Sequence, residues 1–278
     1  MLRIISDTGS DMTIKEANEK NITLIPLNIV FGDEPCACLT DEDRDIFFEK
    51  LANCKELPKT SQPSPSLYEA VFNEAKEAGD EVIVLSLSAG LSGTYQSACI
   101  AKDMVDYDKI TVIDTGSVTL GQRLLIDRAA KMRDAGATCV DIVNMVNEVK
   151  DKIVVCGVVN TLEYLKKGGR IPPVLAGIGT ALKIKPALMI KDGVIIELAK
   201  SRGMKQGIQK IYAEYERMGV NPDWPVYFGY VNDIKPTQDM IDDMAPKYNI
   251  EKYSIYPVGP TIGVHVGPGC VLATFVRG

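Results

Sequence analysis

The chain reads as an α/β protein in two parts. A mostly parallel α/β sandwich is expected over residues 1–157, followed by an α+β domain with an antiparallel sheet over 158–278. Three observations predict this class. In the first half, short apolar runs alternate with helix-like segments, the pattern of parallel strands covered on both faces. The tetrapeptide DTGS occurs twice, at 7–10 and 114–117, each time directly after such a run. Past residue 158 the pattern shifts to strand-rich segments with an Asp192-Gly193 hairpin signal. At 278 residues the chain is long enough for two cores, and the cleft between them is the expected binding place.

The elements follow in order. LRIIS (2–6) is a strand that ends in the turn-and-cap cluster DTGSD, and TLIPLNIVFG (23–32) is extended. SPSLYEAVFNEAKEAG (64–79) is a helix, with Ser64 as N-cap, Pro65 at the first helical position and Gly79 as the stop. Its Leu67, Ala70, Val71, Ala75 and Ala78 share one face at helical spacing. EVIVLSLS (81–88) and KITVIDTGS (109–117) are buried strands, and VTLGQRLLIDRAAKMRDAG (118–136) is a further helix. KIVVCGVVN (152–160) closes the first-half series of strands. In the second half KIKPALMIKDGVIIELAKSRG (183–203) is the hairpin, and 204–219 and 235–248 are helical. VYFGYVN, KYSIYPV, TIGVHVG and CVLATFV are strand-like. Both DTGS copies belong at the carboxyl edge of the parallel sheet, where open α/β folds place ligands.

Composition removes several function classes. The 31 basic and 37 acidic residues leave a net charge of −6, which argues against a nucleic-acid partner. The opening MLRIISDTGSD lacks the apolar length of a signal peptide, and no run is long enough to span a bilayer. A cytoplasmic protein is expected, without stable membrane insertion. Seven cysteines, an odd number, fit reduced thiols better than a disulfide framework. Cys36, Cys38 and Cys54 lack metal-ligand spacing, so no metal is expected.

Polar residues gather in a few places. In SLSAGLSGTYQSACIAKDM (86–104) a strand passes through a Gly-Ser loop into a helix, and Ser92 and Thr94 flank the first helical amides. That is either a well-capped helix start or an anion site. KTSQPS (59–64) adds hydroxyls just before another helix. Val174–Leu182 is uncharged and carries Gly177 and Gly179, consistent with tight core packing or with a slot for an apolar ligand. Arg170 and Arg202 sit beside glycines at element ends, either solvated or able to clamp an anion. His265, the only histidine, lies among glycines in TIGVHVGPG. It is either an ordinary strand-end histidine or a residue that meets a ligand, with glycines allowing close backbone approach at 263, 267 and 269. No P-loop is present, and GLSGT departs from the nucleophile-elbow pattern. Ser92 with His265 as nucleophile and base gives an alternative, a serine hydrolase, although no residue is marked as the orienting acid. The combination of hydroxyls, a helix start, one imidazole and an apolar segment suits a molecule with an anionic head and a hydrophobic body.

The motifs ISDTGSD (5–11), KTSQPS (59–64), GLSGTYQSA (90–98), VIDTGSVTLG (112–121), LEYLKKGGRI (162–171) and HVGPG (265–269), in this order and spacing, resemble the DegV family along essentially the whole chain. The family's first motif more often reads Asp-Ser-Thr-Ser-Asp, so residues 7–9 depart slightly. The resemblance implies a two-domain protein that holds a long-chain fatty acid in a buried tunnel between its domains. It also implies a non-catalytic carrier, the FakB-like component of bacterial fatty acid kinase, which serves phospholipid metabolism. A separate FakA-like kinase subunit would phosphorylate the carboxylate with ATP and Mg²⁺, which belong to that partner. By the same resemblance Thr60, Ser61, Ser92, Gly93 and His265 would bind the carboxylate, Arg170 and Arg202 would face the kinase, and membrane contact would be transient. A weaker alternative drawn from kinship with dihydroxyacetone kinases, a small carbonyl ligand on His265, conflicts with the long apolar segment.

Overall fold

The structure, a computed structural model, describes residues 1–36, 39–175 and 184–278. The first half builds a four-stranded parallel sheet of order β2-β1-β6-β7. Its central strands are β1 (Leu2–Asp7) and β6 (Glu81–Ser86), flanked by β2 (Ile22–Ile25) and β7 (Ile110–Asp114). Successive side chains Val82, Ile83, Val84 and Leu85 are all buried, because both faces of a parallel sheet are covered and the apolar run need not alternate.

One face of this sheet packs on α3 (Pro65–Ala78) and α4 (Thr94–Val105), the other on α5 (Leu120–Asp134). α3 starts at Ser64 and stops at Gly79 with φ +70°, as expected, but its buried face differs from the predicted one. Tyr68, Phe72 and Ala75 are buried, while Leu67, Ala70 and Ala78 lie exposed. The two rings fill the groove against Ile5, Val82 and Ala98. Residue for residue, burying the two aromatic rings removes more apolar surface from water than the predicted face of Leu67, Val71 and three alanines would.

The second sheet has six strands in the order β10-β9-β8-β13-β11-β12. The expected hairpin forms from β9 (Lys185–Lys191) and β10 (Val194–Ser201), with Asp192 at φ +50° and Gly193 at φ +74° supplying the two left-handed turn residues. β13 (Val271–Val276) runs antiparallel to both β8 (Ile153–Val158) and β11 (Val226–Tyr230), and β12 (Tyr253–Pro257) joins β11 as the one parallel pair. β8 reads from sequence as one of the first-half strands. It instead pairs antiparallel with β9 and β13, so the second sheet begins before residue 158. An apolar run does not state its direction; only its partners do.

Strand alternation sorts this sheet into two faces. Val154, Cys156, Val158, Val271, Ala273 and Phe275 pack on α8 (Met204–Met218) and α9 (Lys235–Tyr248). Val155, Gly157, Val159 and Leu272 face inward toward α5 and the first sheet. The layers are therefore helices, parallel sheet, α5, mixed sheet, helices.

Arg123 of α5 staples the halves together. It is 1% exposed, its guanidinium lies 3.6 Å from the Tyr256 ring, and its Nη2 donates to Glu16 Oε1 at 2.5 Å. Beside it Asp127 accepts the Tyr227 hydroxyl at 2.8 Å and pairs with Lys20. No helix among the described residues is long and apolar enough to cross a membrane. Nor, among them, could any group of three or more His, Cys, Asp or Glu hold a metal ion. The C-x-C pair at 36 and 38, and Gly177 and Gly179 of the apolar segment, fall partly or wholly outside the described residues.

Candidate functional site

A cavity lies where the inner face of the second sheet meets the carboxyl edge of the first. Val155, Val159, Leu188, Ile190 and Leu272 of the second sheet form its apolar wall, with Leu87, Leu91 and Val118 opposite. Its volume is about 100 Å³, many times the roughly 10–15 Å³ that one enclosed water needs on the same measure. Among the described residues of the wall there is no Asp or Glu, and Arg170 is the one cation.

The two DTGS turns place the polar end. In each copy the aspartate accepts the amide of the glycine two residues on, Gly9 N to Asp7 Oδ1 and Gly116 N to Asp114 Oδ1, both at 2.9 Å. Each aspartate also holds the loop after β6. Asp7 Oδ2 accepts Leu87 N at 2.9 Å, and Asp114 Oδ1 accepts Ala89 N at 3.2 Å. Ser88 Oγ donates to Gly193 O at 2.6 Å, so the hairpin turn of the second sheet braces the same loop. Ser92 follows on this fixed base, half-buried, its Oγ 2.8 Å from Thr94 Oγ1.

Thr60 arrives from a third direction. It lies on β5 (Lys59–Ser61), which pairs with β3 (Asn28–Phe31) in a small three-stranded sheet completed by β4 (Glu34–Pro35). Its Oγ1 is 3.0 Å from His265 Nε2. His265 is not on a strand. TIGVHVG, whose Ile262, Val264 and Val266 mimic period-two alternation, forms the helix α10 (Pro260–Val266). Pro260 at its start and Gly267 at φ +72° at its end are the helix signals that outrank the alternation. The start of α10 is anchored by Gly259 N donating to Asp11 Oδ1 at 2.9 Å and Thr261 Oγ1 donating to Thr8 Oγ1 at 2.9 Å.

Burial, and secondarily the charge of Arg170, holds the His265 imidazole down to about 4, against an ordinary 6.5. It is neutral at physiological pH. Its Nδ1 is buried without a partner. A buried N–H lacking an acceptor is the rarer and costlier state, so the proton resides on Nε2, which donates to Thr60 Oγ1. That leaves the Thr60 hydroxyl hydrogen free to donate into the cavity. Arg170 donates from Nε to Leu91 O at 3.1 Å and from Nη1 to Gly168 O at 2.8 Å. It has no carboxylate partner among the described residues, and a half-buried cation without one favours an anion.

Thr60, Arg170 and His265 also line a second, outer cleft with Lys55, Lys59, Lys167 and Glu56. The same three side chains thus separate an apolar interior from a mainly basic exterior. Ser61 lines the cavity at its rim, where its Oγ accepts Asn28 Nδ2 at 3.3 Å. Gly93 caps α4 behind the wall, where a Cβ would collide with Gln62 Oε1. Arg202 is not in this group; it is exposed at the junction of β10 and α8.

The glycines around His265 make room for protein, not for a ligand. A Cβ at Gly263, Gly267 or Gly269 would strike Phe48, Tyr164 or Asn160 respectively. The hydrolase alternative finds no geometry. Ser92 Oγ pairs with Thr94, His265 Nε2 pairs with Thr60, and among the described residues no acid reaches Nδ1. Sequence reasoning missed Gln62, whose Nε2 donates to Ser97 Oγ at 2.9 Å, and Thr119 on the cavity wall. Thr119 holds φ +53°, a left-handed conformation unusual for a β-branched residue. The alternation in IVVCGVV was the available signal for the apolar wall.

Comparison with known proteins places the chain. Residues 1–277 match the family model of DegV, described as uncharacterised proteins. A DegV domain-containing protein of Halalkalibacterium halodurans is 32% identical over 274 residues, covering 97% of this chain and 96% of its own. A DegV lipid-binding protein of Thermotoga maritima superposes with a TM-score of 0.87 at 29% identity, covering 100% of this chain and 99% of its own. A stearic acid-binding protein of Eubacterium ventriosum gives a TM-score of 0.88 at 27% identity, over 100% and 98%. On the match of its whole length, and on the motifs that build the polar end of the cavity, this chain belongs to the DegV family.

Proposed function

We propose that this protein binds a long-chain fatty acid with its hydrocarbon in the apolar cavity and its carboxylate among Thr60, Ser92, His265 and Arg170. The observation that carries the reading is the position of Thr60, His265 and Arg170 on the boundary between the apolar cavity and the basic cleft outside it. The relatives described as lipid-binding and stearic acid-binding support it. Each methylene moved out of water contributes about 0.8 kcal/mol, so a chain of about fourteen gives on the order of 11 kcal/mol before association costs. Charge-assisted hydrogen bonds at the head add roughly 1.5–3 kcal/mol each. The tail supplies most of the affinity; the head decides which end faces out.

The carboxylate at that boundary would be presented to a FakA-like kinase subunit, whose ATP and Mg²⁺ supply the phosphoryl group. In this reading the chain is a carrier and not a catalyst. Arg202, exposed and away from the cavity, would contact the kinase.

Mass spectrometry of an organic extract from protein never stripped of lipid tests the binding. A near-stoichiometric fatty acid is expected, and an empty protein or a small polar ligand overturns the reading. For the partner, Arg202→Glu should keep its fatty acid yet slow phosphorylation by the kinase; unchanged turnover removes Arg202 from the contact.

A further inference from the structure

Gly168 touches His265 and Arg170, two of the four side chains that would meet the carboxylate. A Cβ built on it would lie 2.3 Å from His265 Nδ1 and 2.9 Å from His265 Cε1, so the imidazole rests directly on its Cα. Its carbonyl accepts Arg170 Nη1 at 2.8 Å. Its own amide donates to Tyr164 O at 2.8 Å, closing the short helix α7 (Glu163–Lys167). Gly168 has φ −76° and ψ −6°, ordinary right-handed backbone that any residue adopts. A glycine is therefore not required here by the chain conformation. It is required by the ring.

We propose that Gly168 is the positioning residue of the head-group site, its bare Cα seating the His265 imidazole and its carbonyl aiming Arg170. A methyl at this point would displace the ring from its seat and spoil the geometry of the Nε2–H to Thr60 Oγ1 bond. The Thr60 hydroxyl then loses the partner that turns its hydrogen toward the cavity. The adjacent Gly169 does the opposite job. It has φ +70° and open space around its Cα, so it serves the turn and not the ring. The paired glycines of GGR thus divide into one for the site and one for the backbone.

This role rests on the carboxylate reading, and the test separates the two. Palmitate affinity of delipidated protein is measured for the parent, Gly168→Ala, His265→Ala and the double variant. Gly168→Ala should weaken binding by about tenfold, a loss of about 1.4 kcal/mol, and should cost less than about twofold when His265 is already alanine. Because the chain has one histidine, ¹⁵N-histidine labelling reports a single imidazole. Its signals should move in Gly168→Ala and stay in place in Gly169→Ala, although the latter is strained and less stable. Equal losses with and without His265, or a parent-like Gly168→Ala, overturn the positioning role. His265→Ala that binds palmitate like the parent overturns the carboxylate reading itself.

Discussion

Thr60 Oγ1 stands 3.0 Å from His265 Nε2, across 205 positions of the chain. The threonine comes from a small three-stranded sheet and the histidine from the last turn of α10. The contact converts a neutral imidazole into a device that orients a hydroxyl. Thr60→Val keeps the shape and removes both the acceptor for Nε2–H and the donor to the ligand. Fatty-acid affinity should fall about 10- to 100-fold, as expected for a charge-assisted hydrogen bond. Thr60→Ser should retain most of the affinity. Calorimetric titration with palmitate checks both.

The single histidine makes its own titration directly visible. With its pKa at about 4 in place of 6.5, His265 should remain neutral and protonated on Nε2 throughout the physiological range. The folded protein resists protonating it, so its contribution to stability is present above about 6.5 and is lost as the pH falls through about 4. A ¹⁵N-histidine titration with a midpoint near 6.5, or a proton on Nδ1, would contradict the arrangement at Thr60.

Asp7 and Asp11 pull the other way. Burial raises Asp7 from 3.8 to about 6 and Asp11 to about 7, against the lowering effect of hydrogen bonds from Leu87 to Asp7 and from Thr119 to Asp11. Asp11 faces Arg123 and Glu16, and its Oδ1 holds the start of α10 at Gly259. A carboxyl whose folded pKa is raised contributes stability that is full below about 3.8 and is lost as the pH rises through about 7. Asp11→Asn should therefore unfold with less dependence on pH between about 4 and 8 than the parent. Denaturant titrations at the two ends of that range give the comparison; parallel curves for variant and parent would remove Asp11 as a titrating group.

Arg170 is a half-buried cation whose protein partners are carbonyls. Arg170→Met keeps the aliphatic stem and deletes the charge. Stability should change by no more than about 1 kcal/mol, since a charge without a counter-ion contributes little to the empty protein. Palmitate affinity should fall by about tenfold or more. A large loss of stability with unaltered affinity would assign Arg170 to the fold alone.

Filling the apolar wall addresses the tail. Val155 faces the cavity from β8, and Val155→Phe would occupy space that a hydrocarbon needs. Binding of long chains should weaken more than binding of short ones, and uniform weakening across chain lengths would place the tail elsewhere.

Local pattern was enough for much of this protein. Alternating apolar runs and capped helices specify the parallel sheet, the Asp192-Gly193 turn specifies the hairpin, and the hydroxyl-rich motifs mark Thr60 and Ser92, because each signal lies within one element and follows from short-range backbone and side-chain preferences. The tertiary structure decided what depends on distant partners. β8 took its direction from β9 and β13, and α3 buried its aromatics because the groove beside Ile5 had room for rings. Above all, the meeting of Thr60, His265, Arg170 and Gly168, the neutrality of the imidazole and the division of labour between two adjacent glycines arise from burial and from contacts between separate segments, up to 205 positions apart, quantities that no local spacing contains.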